Sequence, residues 1–210
     1  MKTLIALLPT LLIANALATD TPAQSTATPA GIHRYFVKRT FPAGALQSVD
    51  AAAKERVNAT NASVGVNWVR SYANADETKT YCVYEGPNEA AIRKAAELNK
   101  MTVDSLTEIP VDLDPGTPAT AASSGSHRYL VERTLTPGAL KGMDGAAKAK
   151  ANATDARFGV HWVTSYASAD KTRTYWIYEA PNEAAVRNAA VANGMPADTV
   201  TEVPVVLLPH

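Results

Sequence analysis

The stretch Asp76–Glu89 (DETKTYCVYEGPNE) recurs as Asp170–Glu183 (DKTRTYWIYEAPNE), and the flanking residues align without a gap at a constant offset of 94. More than half of the positions from His33 to Asp114 are identical in the second copy. Self-similarity at one fixed offset decides the architecture before any propensity is used: two like units in one chain. Each holds about 80 residues. At that size a lone hydrophobic core is marginal, and a partner surface supplies what the core lacks.

Within the first unit, His33–Thr40 (HRYFVKRT) carries the β-branched and aromatic content of a strand. Pro42-Ala43-Gly44 breaks it, and Leu46, Val49, Ala53 and Val57 then recur at helical spacing. Gly65 and Gly159 fall where a helix ends and the chain turns. Val66–Tyr72 and Thr80–Glu85 read as an antiparallel hairpin, joined by the polar loop 73–79. Pro87-Asn88 stops the strand, Asn88 caps a second helix marked by Ala91, Ile92, Ala95 and Leu98, and Glu89 suits its first turn. Thr107–Leu113 is a fourth strand whose Pro110 points to a sheet edge. The order β-α-β-β-α-β is that of a ferredoxin-like α+β sandwich, present twice. The division that follows is an export signal at 1–18, a flexible leader at 19–31, one unit at 32–114, a linker at 115–126 and a second unit at 127–210.

The first eighteen residues read as an address rather than structure. Lys2 precedes the apolar run Leu4–Leu17, and Ala16-Leu17-Ala18 is a small-x-small cleavage site. This predicts export to the periplasm or the medium, with no membrane attachment after cleavage. Formal charge is zero and no basic stripe is visible, which argues against a nucleic-acid partner. The single cysteine, Cys82, excludes an internal disulfide and reads as a buried small hydrophobe.

Alternation assigns Val37, Val69 and Val83 to one side of the sheet and Phe36, Lys38, Trp68, Arg70, Tyr72, Cys82 and Tyr84 to the other. Taking the β-branched set as the side under the helices leaves an aromatic, amphipathic face, a surface of the kind found at interfaces. Two such faces in one chain are expected to close on each other. The result is a monomer with an internal pseudo-two-fold, resembling a dimeric α/β barrel. A cavity between the sheets would then be lined by Trp68, Tyr84, Trp162 and Tyr178, the candidate residues for a small ligand or cofactor.

The runs Arg128-Tyr129-Leu130-Val131-Glu132-Arg133-Thr134, Trp162-Val163-x-Ser165-Tyr166 and Thr174-Tyr175-x-x-Tyr178-Glu179-Ala180-Pro181 resemble one family closely. So do Arg34–Thr40, Trp68–Tyr72 and Tyr81–Glu85 in the first unit. The family is that of the small ferredoxin-like nickel-binding domains, long catalogued as a domain of unknown function. The resemblance implies the fold, dimer-like association and nickel as the metal. It implies no established enzymatic activity and no ligand set residue by residue.

Nickel favours imidazole nitrogen, so the candidate ligands are His33, His127 and His161, with Glu85 and Glu179 as oxygen donors. His33 and His127 are equivalent positions, whereas His161 replaces Asn67. His210 is terminal. No HxH or HxxxH spacing gathers these residues locally, so folding would have to assemble the site. Arg39 with Glu85, and Arg133 with Glu179, are expected to form ion pairs between strands one and three, read as parallel neighbours. Asn58-Ala-Thr60 and Asn152-Ala-Thr154 match a glycosylation sequon on predicted helix ends and are read as chance. Three functions fit: an exported, non-enzymatic nickel-binding protein, a barrel that binds or transforms a small molecule between its sheets, and a structural interaction module.

Overall fold

The computed structural model describes residues 31–47, 49–116 and 125–209. The expected export signal, the leader as far as residue 30, residues 117–124 of the linker and His210 lie outside the described residues. The first unit runs β1 (His33–Thr40), α1 (Ala51–Ala62), β2 (Asn67–Ala73), β3 (Lys79–Gly86), α2 (Glu89–Leu98), β4 (Ser105–Glu108) and β5 (Val111–Asp112). The second repeats it as β6 (His127–Thr134), α3 (Gly145–Ala156), β7 (His161–Ala167), β8 (Arg173–Ala180), α4 (Glu183–Ala192), β9 (Thr199–Glu202) and β10 (Val205–Leu207).

Capping explains where the helices start. Asn88 and Asn182 accept hydrogen bonds from the amides of Ala91 and Ala185, each at 2.9 Å. Asp50 and Asp144 do the same for Ala53 and Ala147. The Asp50 cap puts the first helical residue at Ala51, so Leu46 and Val49 lie in turns ahead of α1 instead of inside it. Gly65 and Gly159 take φ of 73° and 69°, a left-handed conformation that lets the chain leave the helix and pass against Pro87 and Pro181. Among the described residues, no helix is long and apolar enough to cross a membrane.

Two five-stranded sheets result, ordered β10-β2-β3-β1-β4 and β5-β7-β8-β6-β9. The expected strand Thr107–Leu113 is therefore two strands. Pro110 has no amide hydrogen to continue the ladder, and the chain changes sheet there: β4 stays beside β1, while β5 pairs with β7 of the other unit. Pro204 does the same between β9 and β10, which adds to β2. Each exchanged segment is tied down beyond its strand. The Asn152 amide donates to the Pro115 carbonyl at 2.9 Å, and that of Asn58 to Pro209 at 2.7 Å. The sequon asparagines thus anchor the exchange.

Strands β1 and β3 are antiparallel, which corrects the expectation of parallel neighbours. The α1 crossover returns β2 in the direction of β1, and the hairpin then reverses β3. Arg39 consequently faces Thr80, and Glu85 faces Arg34.

The face assignment is also corrected. In β2 the register passes from Trp68 opposite Tyr84 to Arg70 opposite Val83, so Val69 is an extra, bulged residue. Tyr35, Val37, Trp68, Cys82 and Tyr84 pack with Ile92 and Ala95 beneath the helices. Phe36, Tyr72, Tyr81, Val83 and Ile109 join Leu130, Tyr166, Tyr175, Ile177 and Val203 in a core shared by both sheets. The units do close face to face through their sheets, with a smaller and more mixed set of aromatic rings than alternation implied.

One pair of substitutions between the units shows how tightly the helix side is filled. A Cβ at Gly86 would lie 2.9 Å from Ile92 Cδ1. The second unit has a fully buried Ala180 there and the shorter Val186 in place of Ile92. We predict that Gly86→Ala costs about 1–2 kcal/mol, and that adding Ile92→Val recovers part of it. A double-mutant cycle by urea denaturation checks this; simple additivity of the two losses would refute the coupling.

Candidate functional site

Candidate chemistry is spread over three places. The first is the start of each unit's first strand. His33 Nδ1 lies 2.6 Å from Glu108 Oε1, and its counterpart His127 Nδ1 lies 2.7 Å from Glu202 Oε1. The antiparallel pairing of β1 with β4, and of β6 with β9, sets this geometry: Tyr35 opposes Glu108, and Tyr129 opposes Glu202. All four side chains of the two pairs are about half exposed. Burial, then the nearby Glu108 and Glu89 charges, raises the Tyr35 phenol above its ordinary value. Burial with Glu202 and Glu183 does the same to Tyr129. Each pair is a carboxylate holding one ring nitrogen of an accessible imidazole and leaving Nε2 for another partner.

The other candidate ligands do not join them. The Arg34 guanidinium donates to Glu85 at 2.9 Å, and that of Arg128 donates to Glu179 at 2.8 Å. Both carboxylates are thereby committed to cations. His161 stands opposite Glu179 in the β7–β8 register. Among the described residues, no group of three or more His, Cys, Asp or Glu could hold a metal ion. What the fold brings together in each unit, among the described residues, is one first-strand imidazole and one carboxylate. That donor set fits an accessible surface ion better than an enclosed one. Glu108 and Glu202 went unnoticed in the sequence, although each follows its histidine by the same 75 residues.

The second place is the helix side of the second unit. Trp162 and Tyr178, like Trp68 and Tyr84 in the first unit, face the helices, so none of the four lines a space between the sheets. The cavity beside them is about 30 Å³, bounded by Arg133, Asp155, Trp176, Asn193, Met143 and Met195. That is room for roughly one water molecule and far too little for an organic cofactor. The Arg133 guanidinium lies 4.8 Å from the Trp176 ring and 5.5 Å from that of Tyr178, and its Nε donates to the Pro196 carbonyl at 2.7 Å. Burial pushes the Asp155 carboxyl up to about 6, against the opposing pull of Arg133 and of the Asn193 amide. Burial also pushes the Tyr178 phenol up to about 12. Cys82, the first-unit counterpart of Trp176, is buried as expected.

The third place is the seam between the sheets. A cleft of about 290 Å³ opens there, bordered by Lys38, Thr107, Glu132, Arg173, Tyr175 and Asp198. It is polar where an aromatic pocket was expected. Lys38 Nζ donates to both Glu132 carboxylate oxygens, at 2.9 and 3.1 Å, and the Tyr175 hydroxyl donates to Thr107 Oγ1 at 3.0 Å.

A family model for the nickel responsive protein SCO4226-like matches the chain twice, over residues 35–109 and 129–203. Glu108 and Glu202 fall inside the matches, and His33 and His127 lie two residues ahead of them. A search of the curated proteins found no match. Among solved structures, a chlorite dismutase variant from Candidatus Nitrospira defluvii is 10% identical, with 84% of this chain and 92% of that chain covered at a TM-score of 0.45. A proposed monooxygenase from Lactobacillus acidophilus NCFM is 13% identical, with 85% and 96% covered at a TM-score of 0.39. Likeness at this distance does not bear on function.

Proposed function

The chain belongs to the nickel responsive protein SCO4226-like family, and from that premise we propose that it is an exported, non-enzymatic nickel-binding protein taking the ion at His33 and His127. The observation that carries the reading is the repeated imidazole–carboxylate pair. A carboxylate on one ring nitrogen fixes the tautomer, aims the ring and makes the other nitrogen a better donor, the usual outer-shell arrangement of histidine ligands. Imidazole is a suitable donor for nickel. Glu108 and Glu202 act here as positioning residues for the histidines, and Arg34 and Arg128 keep Glu85 and Glu179 out of the donor set. Export rests on the reading of the first eighteen residues, and a reducing or oxidising destination is immaterial to a site without thiolate.

Titration calorimetry with nickel chloride on the tag-free mature protein tests the proposal. We expect two weak, similar sites that disappear in the His33→Ala/His127→Ala double variant. Glu108→Gln/Glu202→Gln should weaken binding by about tenfold or more, as outer-shell changes do. Absence of heat, or unchanged binding without the two histidines, would remove the idea.

A further inference from the structure

We propose that the sheet face of each unit is shaped to accept the other unit of its own chain and to reject a second copy of itself. Lys38 and Glu132 are equivalent residues, one in each repeat, and they bond to each other at 2.9 Å. When a residue meets its own counterpart, the pair sits on the pseudo-two-fold axis. Pairing of two first units would therefore set Lys38 against Lys38, and pairing of two second units would set Glu132 against Glu132. Both side chains are only partly exposed, at 35% and 21%, beside the buried rings of Tyr81 and Tyr175. A like-charge contact there is only partly screened by the water of the adjoining cleft, and such juxtaposition suppresses wrong partners at interfaces.

One further difference between the repeats weakens pairing of two second units. Phe36 stacks on Tyr175 with ring centroids 3.9 Å apart, whereas its counterpart is Leu130, which brings no ring to Tyr81. Two second units would lose that stack. Two first units would keep it, so the lysine clash alone opposes their pairing. Opposite charges on one axis discriminate by repulsion as much as by attraction, and that is how specific pairing is commonly enforced.

The test uses the mature chain with a protease site placed within residues 117–124. After cleavage, unfolding in urea and refolding, native mass spectrometry should find unlike pairs predominating, with like pairs at least about tenfold rarer. Glu132→Lys should abolish that preference and Lys38→Glu/Glu132→Lys should restore it. Like pairs of either unit at their statistical share would overturn the proposal. If the cleaved halves do not refold, the intact chain decides. Lys38→Glu and Glu132→Lys should each lower the urea midpoint, with the charge swap returning it towards that of the unaltered protein. A swap no better than the single changes would refute the axis pairing.

Discussion

Replacing Phe36 by alanine is expected to destabilise the folded chain by about 3–5 kcal/mol, the range for truncating a buried aromatic ring. The ring is 1% exposed and lies flat on Tyr175, at an interplanar angle of 16°. Two losses combine: the apolar area returned to water, and a void between two sheets whose strands are pinned by hydrogen bonds and cannot close on it. Because β5 and β10 are exchanged, the units cannot simply slide together. One edge of each sheet is already committed to the other unit. Phe36→Leu, which copies the second repeat, should cost far less, since only the stacking and part of the volume go. Urea denaturation of both variants checks this. A loss below 1 kcal/mol for the alanine variant would mean that the seam is not the shared core described above.

The duplication, the helix starts at Asn88 and Asn182 and the strand order were legible because they depend on local chemistry and spacing. Face assignment was not. Alternation fixes which residues of one strand share a side, but the parity between strands depends on register, and the Val69 bulge shifts that register midway along β2. The grouping of Val37 with Val83 therefore failed, because the register sets Val37 against Cys82. Pro110 was visible as a break. Its destination, the far sheet, is a tertiary choice that seven residues cannot encode. Two signals were present in the sequence and lacked only a reason to be read. One is the 75-residue spacing that brings each first-strand histidine to a glutamate. The other is the opposite charge at the equivalent positions Lys38 and Glu132, which gains meaning once the two-fold axis is known to pass there.

Asp155→Asn is the second substitution with a large expected effect, and its sign is opposite to that of most core changes. Asp155 is 3% exposed, and burial lifts its carboxyl from the ordinary 3.8 to about 6. A folded state that holds this proton more tightly than the unfolded chain is favoured below pH 4. That advantage disappears as pH rises through about 6, beyond which the buried charge costs the protein up to about 3 kcal/mol. The first unit shows what removing the charge requires. It has Asn61 at the same place, accepting from the Asn99 amide at 2.9 Å as Asp155 accepts from Asn193 at 2.7 Å. An asparagine oxygen at position 155 keeps that bond. Arg133 loses a neighbouring charge, but it keeps the Pro196 carbonyl and its ring contacts, much as Arg39 rests 5.2 Å from the Tyr84 ring without a carboxylate at position 61. The Arg133 attraction is already contained in the raised value. What offsets part of the gain is the added amide NH2, which at the equivalent Asn61 is buried without a hydrogen-bond partner. The variant should therefore be more stable by about 1–2 kcal/mol at pH 8. The two proteins should converge near pH 4. Urea midpoints across that range decide it. A variant weaker than the parent at pH 8 would show that the pull between Asp155 and Arg133 outweighs the cost of burying the carboxylate.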